Sequence, residues 1–158
     1  MPKDRKQARD ADTAHARQVA ALPVRRDDGG RLRVLLVTSR DTGRWVVPKG
    51  WPMEGLDPWE AAAVEALEEA GAEGAITAAP IGTYAYGKRL EDDAVLPCRV
   101  TVYPLRVTRL RDRWKEAKER KRRWFDPDEA AKRVDEPELG VILRSLLRDA
   151  KQNRKIRA

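Results

Sequence analysis

Residues 56–71 constrain this chain more than any other stretch. Asp57 is a good helix N-cap, Pro58 suits the first helical position, and Glu60 stands at capping-box spacing from Asp57. Gly71 is the residue type that ends a helix in the left-handed conformation. A helix is therefore expected here. At about 100° per residue, Glu65, Glu68 and Glu69 fall on one face. Ala61 and Ala62 fall on the same side and are expected to leave it low and open. Trp59, Ala63, Ala66, Leu67 and Ala70 are expected to anchor the opposite face to the core. Like charges at this spacing repel by roughly a few tenths of a kcal/mol per pair. A divalent cation would turn that repulsion into binding, because Mg²⁺ takes a few carboxylate oxygens and keeps several waters. Taken alone, a Glu-Ala-Leu-Glu-Glu stretch is more often a solvated helix face.

Around this helix the pattern alternates strands and turns. Residues 18–24 and 33–38 are apolar strand candidates joined through Asp27-Asp28-Gly29-Gly30, a hairpin signal. Trp45-Val46-Val47 reads as a short strand, and residues 48–52, with two prolines and a glycine, read as a loop outside any ladder. Residues 75–86, 96–107 and 122–125 are further strands, and Asp126-Pro127-Asp128-Glu129 starts a second capped helix. Residues 138–151 form an amphipathic helix with Val141, Leu143, Leu146 and Leu147 expected inside. The class is α+β, with one domain over residues 17–150, a mobile polar tail over 1–16 and a basic tail over 151–158.

The 158 residues hold one cysteine, Cys98, and one histidine, His15, which exclude an intrachain disulfide and a His-based zinc site or triad. No apolar run approaches the ~20 residues of a membrane span, and the first 17 residues lack the apolar core of a secretory signal. The expected setting is cytoplasmic. A net charge of +7 favours anionic partners, among them nucleotides, polyphosphates and nucleic acid. The basic run 115–123 carries no recognised RNA-binding motif, so nucleic acid is not favoured.

From Gly50 to Ala72 the sequence resembles the Nudix box, with Gly50, Glu65, Glu68, Glu69, Gly71 and Ala72 at the spacing of that signature. Two positions depart from it: Leu56 stands where the family carries its first Glu, and Val64 where it carries an Arg. Apolar packing in place of a polar brace is the expected explanation, since losing half of a pair would leave a charge unpaired. The similarity extends through residues 34–48, Trp114 and residues 121–125 to the diphosphoinositol polyphosphate phosphohydrolases, although Lys49-Gly50-Trp51-Pro52 replaces their glycine run. The resemblance implies a Nudix fold, a mixed β-sheet sandwiched between α-helices. It implies Mg²⁺-dependent hydrolysis, with Mn²⁺ able to substitute, of a diphosphate linkage in diphosphoinositol or dinucleoside polyphosphates. Glu65 and Glu69 would hold the cation with the Gly50 carbonyl, and Glu68 would be a weaker ligand or the base. Arg17, Ser39, Arg40, Lys49, Arg89 and Arg120 stand where phosphate-binding residues are expected, and Trp51 could stack on a base or pack in its loop. The rival expectation is a Nudix fold that has lost catalysis and only binds a nucleotide or RNA.

Overall fold

The structure is a computed structural model that describes the backbone of residues 15–157 and the side chains of residues 15–148. Eight strands form one mixed sheet: β1 (Ala16–Arg26), β2 (Leu32–Thr38), β3 (Trp45–Val46), β4 (Lys49–Gly50), β5 (Ala72–Ile76), β6 (Gly82–Arg89), β7 (Val95–Leu110) and β8 (Arg122–Phe125). Helix α1 (Pro58–Ala70) lies on one face, and α2 (Pro127–Arg133) and α3 (Pro137–Arg157) belong to the other. The main path runs β3-β2-β1-β7-β5, with β1 and β7 parallel and every other pair antiparallel. No helix among the described residues is long and apolar enough to cross a membrane.

Period-two alternation assigns each central side chain to a face. Val19, Ala21, Leu35, Val37, Tyr103 and Leu105 pack under α1, whereas Ala20, Leu22, Val34, Leu36, Val100 and Val102 pack under α2 and α3. Strands covered on both sides must be apolar at every position, hence the unbroken Val34-Leu35-Leu36-Val37 run. Each buried Leu or Val contributes about 1.5–3 kcal/mol.

Helix α1 begins as expected: the Asp57 N–H donates to Glu60 Oε1 at 2.8 Å. It ends at Gly71, whose φ of 65° is the left-handed stop. Its glutamate face differs from expectation. Ala61 and Ala62 are fully buried together with Ala66, Glu69 and Ala70, while Ala63 and Leu67 are only half-buried. Small alanines on the glutamate side let the helix approach β1 closely, so that face is a covered cleft instead of an open one. In α3 the buried residues are Leu139, Ile142, Leu143 and Leu146, an i, i+3, i+4, i+7 stripe. Val141 stands about 200° round the helix from Leu139 and is 62% exposed, and Leu147, at the stripe's edge, is 39% exposed.

Two strand boundaries also move. The expected strand 75–86 is two strands, separated by a segment containing Pro80. Lys49–Gly50, expected as loop, is a strand. The β1–β2 ladder covers only Val24–Arg26 against residues 32–34. Below it the two strands part, and Val19 and Ala20 pair with Gly50 and Lys49 instead. Pro48 flanks this short ladder and contributes its carbonyl, which accepts from the Ala21 N–H at 3.1 Å. Of the expected N-terminal tail, residues 1–14 lie outside the described residues, Ala16 begins β1, and α3 continues through residue 151 to Arg157.

Candidate active site

The gap between β1 and β2 is what makes the site. β4 fills it and lies directly beside α1, so that Gly50 faces Glu65 with no side chain between them. A Cβ at position 50 would run into the Glu65 carboxylate. The Lys49 N–H donates to Glu69 Oε1 at 3.3 Å. A cleft of about 410 Å³ opens here, and Glu65, Glu69, Lys49, Gly50, Arg40 and Ser39 are among its lining residues.

Glu65 and Glu69, one helical turn apart, share a hydrogen bond in the cleft. Burial pushes the Glu65 carboxyl up to about 8, helped by the charge of Glu69 and its hydrogen bond and by Glu68 and Glu116. Burial also raises Glu69, and the nearby cations Arg120 and Lys49 pull against that shift. Lys49 is pushed down to about 8 by burial, with Glu69 opposing and Arg44 and Lys88 adding repulsion. Its Nζ lies 4.9 Å from the centroid of the Tyr86 ring, and the Tyr86 hydroxyl donates to Gln18 Oε1 at 2.6 Å.

The loop from Arg111 to Lys121 closes the far wall. Trp114 Nε1 donates to the Glu69 carbonyl at 2.9 Å, and the Glu116 N–H to the Glu68 carbonyl at 3.1 Å. Arg120 extends inward from this loop. Its Nε donates to Glu116 Oε1 at 2.7 Å, its Nη1 to the Thr38 carbonyl at 3.0 Å, and its Nη2 lies 3.7 Å from Glu69 Oε2.

The cleft therefore brings together Glu65, Glu69, Gly50, Lys49, Ser39, Arg40 and Arg120 of the residues singled out in the sequence. Glu68 lies beside the cleft, its carboxylate 3.6 Å from Lys115 Nζ. Arg89 lines an adjoining cleft that also includes Lys49 and Lys88. Arg17 is exposed on β1 and does not line the cleft. Trp51 lines the cleft and packs against the small cluster of Ala16, Leu96 and Cys98. Leu56 and Val64 do not form the expected apolar brace: Leu56 is 40% exposed, and neither joins an apolar cluster. Sequence reasoning missed Gln18, Tyr86, Lys88 and Glu116. For Glu116 one signal was available, an acid four residues before Arg120 inside a basic run.

Among the described residues, no three His, Cys, Asp or Glu side chains meet as a ready-made metal cage. Glu116 is held by Arg120 and Glu68 lies against Lys115, leaving the Glu65–Glu69 pair. That pair fits a divalent cation. Burial and neighbouring carboxylate charge raise its proton affinity, a cost that a bound cation would relieve, and the lack of a side chain at Gly50 lets the Glu65 carboxylate lie against β4.

A mixed sheet between helices has counterparts among solved structures. The chain matches a crystal structure of a C. elegans Ap4A hydrolase binary complex with a TM-score of 0.63, over 86% of this chain and 98% of that one, at 21% identity. It matches the NUDIX domain of Shewanella oneidensis NrtR complexed with ADP ribose with a TM-score of 0.61, over 93% and 99%, at 17% identity. In sequence it is 32% identical over 130 residues to mitochondrial Nudix hydrolase 12 of Arabidopsis thaliana, covering 80% of this chain and 64% of that protein. Against mitochondrial Nudix hydrolase 13 of the same plant it is 32% identical over 109 residues, covering 66% and 54%. The chain thus spans 54–64% of the length of these two relatives. Residues 14–146 match the NUDIX domain model, and the chain belongs to that family.

Proposed function

We propose that this chain is a Mg²⁺-dependent pyrophosphohydrolase acting on a polyphosphorylated small molecule, either a diphosphoinositol or a dinucleoside polyphosphate. The observation that carries this reading is the buried Glu65–Glu69 pair set against Gly50, with Lys49 and Arg40 lining the same cleft. Glu65, Glu69 and the Gly50 carbonyl would hold Mg²⁺, or Mn²⁺ in its place. Bound there, the cation supplies charge neutralisation on the leaving phosphate and acidifies the attacking water.

The chain's own groups do the rest. The water oxygen forms a bond to one phosphorus, the bridging P–O bond breaks, and the leaving phosphate departs with that electron pair. Glu116, a cleft carboxylate outside the helix pair, accepts the water's proton. Lys49, Arg40 and the Ser39 hydroxyl bind the remaining phosphate oxygens by charge-assisted or neutral hydrogen bonds. Several fixed cations around one cleft suit a ligand with many phosphates better than a short diphosphate. The Ap4A hydrolase among the structural neighbours concerns a ligand with several linked phosphates, which supports the substrate class.

The test measures product formation with Mg²⁺ by chromatography across a diphosphoinositol polyphosphate, a dinucleoside tetraphosphate, ATP and ADP-ribose, at low and high salt. Catalytic efficiency should be higher on the first two, and the advantage should shrink with salt, since exposed cations are screened over about 8 Å at physiological ionic strength. Arg40→Ala should impair those two more than ADP-ribose. A simple triphosphate winning at both salt levels, or Arg40→Ala affecting all substrates equally, defeats the polyphosphate reading. Binding without any turnover would favour the binding module instead.

A further inference from the structure

One cation buried beside the carboxylates does not have the surroundings of a substrate ligand. Arg120 has a side chain only 9% exposed, against 56% for Arg40 at the cleft mouth. Each of its three nitrogens is directed to a protein oxygen: Nε to Glu116, Nη1 to the Thr38 carbonyl and Nη2 towards Glu69. Two of its five N–H donors are thus hydrogen-bonded to protein and Nη2 faces a carboxylate, so the fork is engaged mainly by the protein's own oxygens.

Its own anchorage is rigid. Glu116 and Arg120 stand one helical turn apart, with the Arg120 N–H donating to the Glu116 carbonyl at 3.1 Å. Next to it, the Lys121 N–H donates to Thr38 Oγ1 at 2.9 Å and the Thr38 N–H to the Lys121 carbonyl at 3.0 Å. The guanidinium is therefore fixed to β2 on one side and tied to the helix glutamate on the other. Within α1, position 64 is valine and offers no donor to the neighbouring carboxylates.

We propose that Arg120 is a positioning residue, holding the carboxylates of Glu69 and Glu116 in place from outside the helix while making no contact with substrate. The inference rests on the hydrolase reading above. It removes Arg120 from the expected set of phosphate ligands. A lysine could keep the charge but could not hold three oxygens in one plane.

The experiment compares wild type, Arg120→Lys and Arg120→Gln, with Arg40→Ala as the contrast. Mn²⁺ affinity is measured by titration calorimetry without substrate, and kcat and KM at saturating Mg²⁺ on a dinucleoside tetraphosphate. Both Arg120 variants should lose about 10–100-fold in Mn²⁺ affinity, as expected for groups that orient metal ligands, and should lose kcat, with KM within about twofold. Arg40→Ala should raise KM at unchanged Mn²⁺ affinity. If the Arg120 variants raise KM and bind Mn²⁺ normally, Arg120 is a substrate ligand and the inference fails. Unchanged Mn²⁺ affinity, kcat and KM would overturn it too. So would loss of the thermal unfolding transition in both variants, which would make Arg120 a structural brace alone. A wild type that neither binds Mn²⁺ nor hydrolyses any substrate would defeat the hydrolase reading itself, a distinguishable failure.

Discussion

Two buried charge clusters lie in this fold, and they are built on different balances. Around Arg44, which precedes β3, the cation is matched by one buried carboxylate: its Nη2 meets Glu136 at 2.8 Å, while the exposed Asp135 lies 3.7 Å from Nε. Burial alone would pull the Arg44 pKa down, but the hydrogen bond and charge of Glu136 more than reverse this, and the net shift is upward. In the cleft, Glu65, Glu69 and Glu116 face Arg120 and a desolvated Lys49, and burial, reinforced by the neighbouring carboxylates, lifts the Glu65 pKa to about 8. The matched pair joins the turn before β3 to the segment between α2 and α3. An unmatched one stores negative charge that a ligand can relieve.

That contrast can be broken by substitution. Glu65→Gln and Glu69→Gln each keep the side-chain shape and remove charge from the unmatched cluster. Turnover should fall by about two to four orders of magnitude, while the melting temperature holds or rises because a repulsion is gone. Near-wild-type kcat in either purified variant would remove the metal assignment. The matched cluster should behave in the opposite way. Arg44→Met strands the buried Glu136 and should destabilise by about 2–3 kcal/mol, somewhat below the ~3–5 kcal/mol of a fully buried pair, because Arg44 is partly exposed. Denaturant unfolding would show it, and a loss under about 0.5 kcal/mol, the scale of an ordinary surface change, would mean the pair is idle.

The smallest effect sharpens the comparison through pH. The folded-state pKa of Glu65 is raised from 4.5 to about 8. Between those values the folded chain keeps a proton that the unfolded chain has lost, so the contribution of Glu65 to stability falls as pH rises across that window. Thermal melts in a chelator should therefore drop between about pH 5 and about pH 8, and the melting gain produced by Mg²⁺ should grow over the same range. A Mg²⁺ gain that is flat or shrinks with pH would argue against the glutamate pair as the site of binding.

How far the sequence could be read depended on how local each signal was. Asp57, Pro58, Glu60 and Gly71 set the limits of α1 because caps act within one turn of chain, and the apolar run Val34-Leu35-Leu36-Val37 marked a strand. Lys49–Gly50 could not be read as a strand, since its partner edge exists only because β1 and β2 part after three pairs. Ala61 and Ala62 misled for a related reason: alanine carries no polarity to say whether its face is open or covered. In α3 the residues were apolar as expected, but Val141 and Leu139 differ in helical phase, and which stripe is buried depends on the sheet beneath. The glutamates of the site were legible from spacing on one helix. Gln18, Tyr86 and Glu116 come from β1, β6 and the β7–β8 loop, and only the fold brings them to that helix.

The loop between β7 and β8 also serves as the end cap of α1. Trp114 Nε1, the Glu116 N–H, Arg122 Nη1 and the Arg111 N–H donate to the carbonyls of Glu69, Glu68, Ala70 and Gly71 in turn. Those are the carbonyls a helix leaves without internal partners at its C-terminus. Its length is therefore set by the distance between the strand end and the helix end, and an insertion there would detach the donors from their carbonyls. The turn at residues 90–94 is closed only by local bonds, Leu90 N–H to Ala94 carbonyl at 2.9 Å and Asp93 N–H to Leu90 carbonyl at 3.0 Å. Growth of the chain over evolutionary time, or the grafting of a tag, has room at that tip and very little beside the cleft.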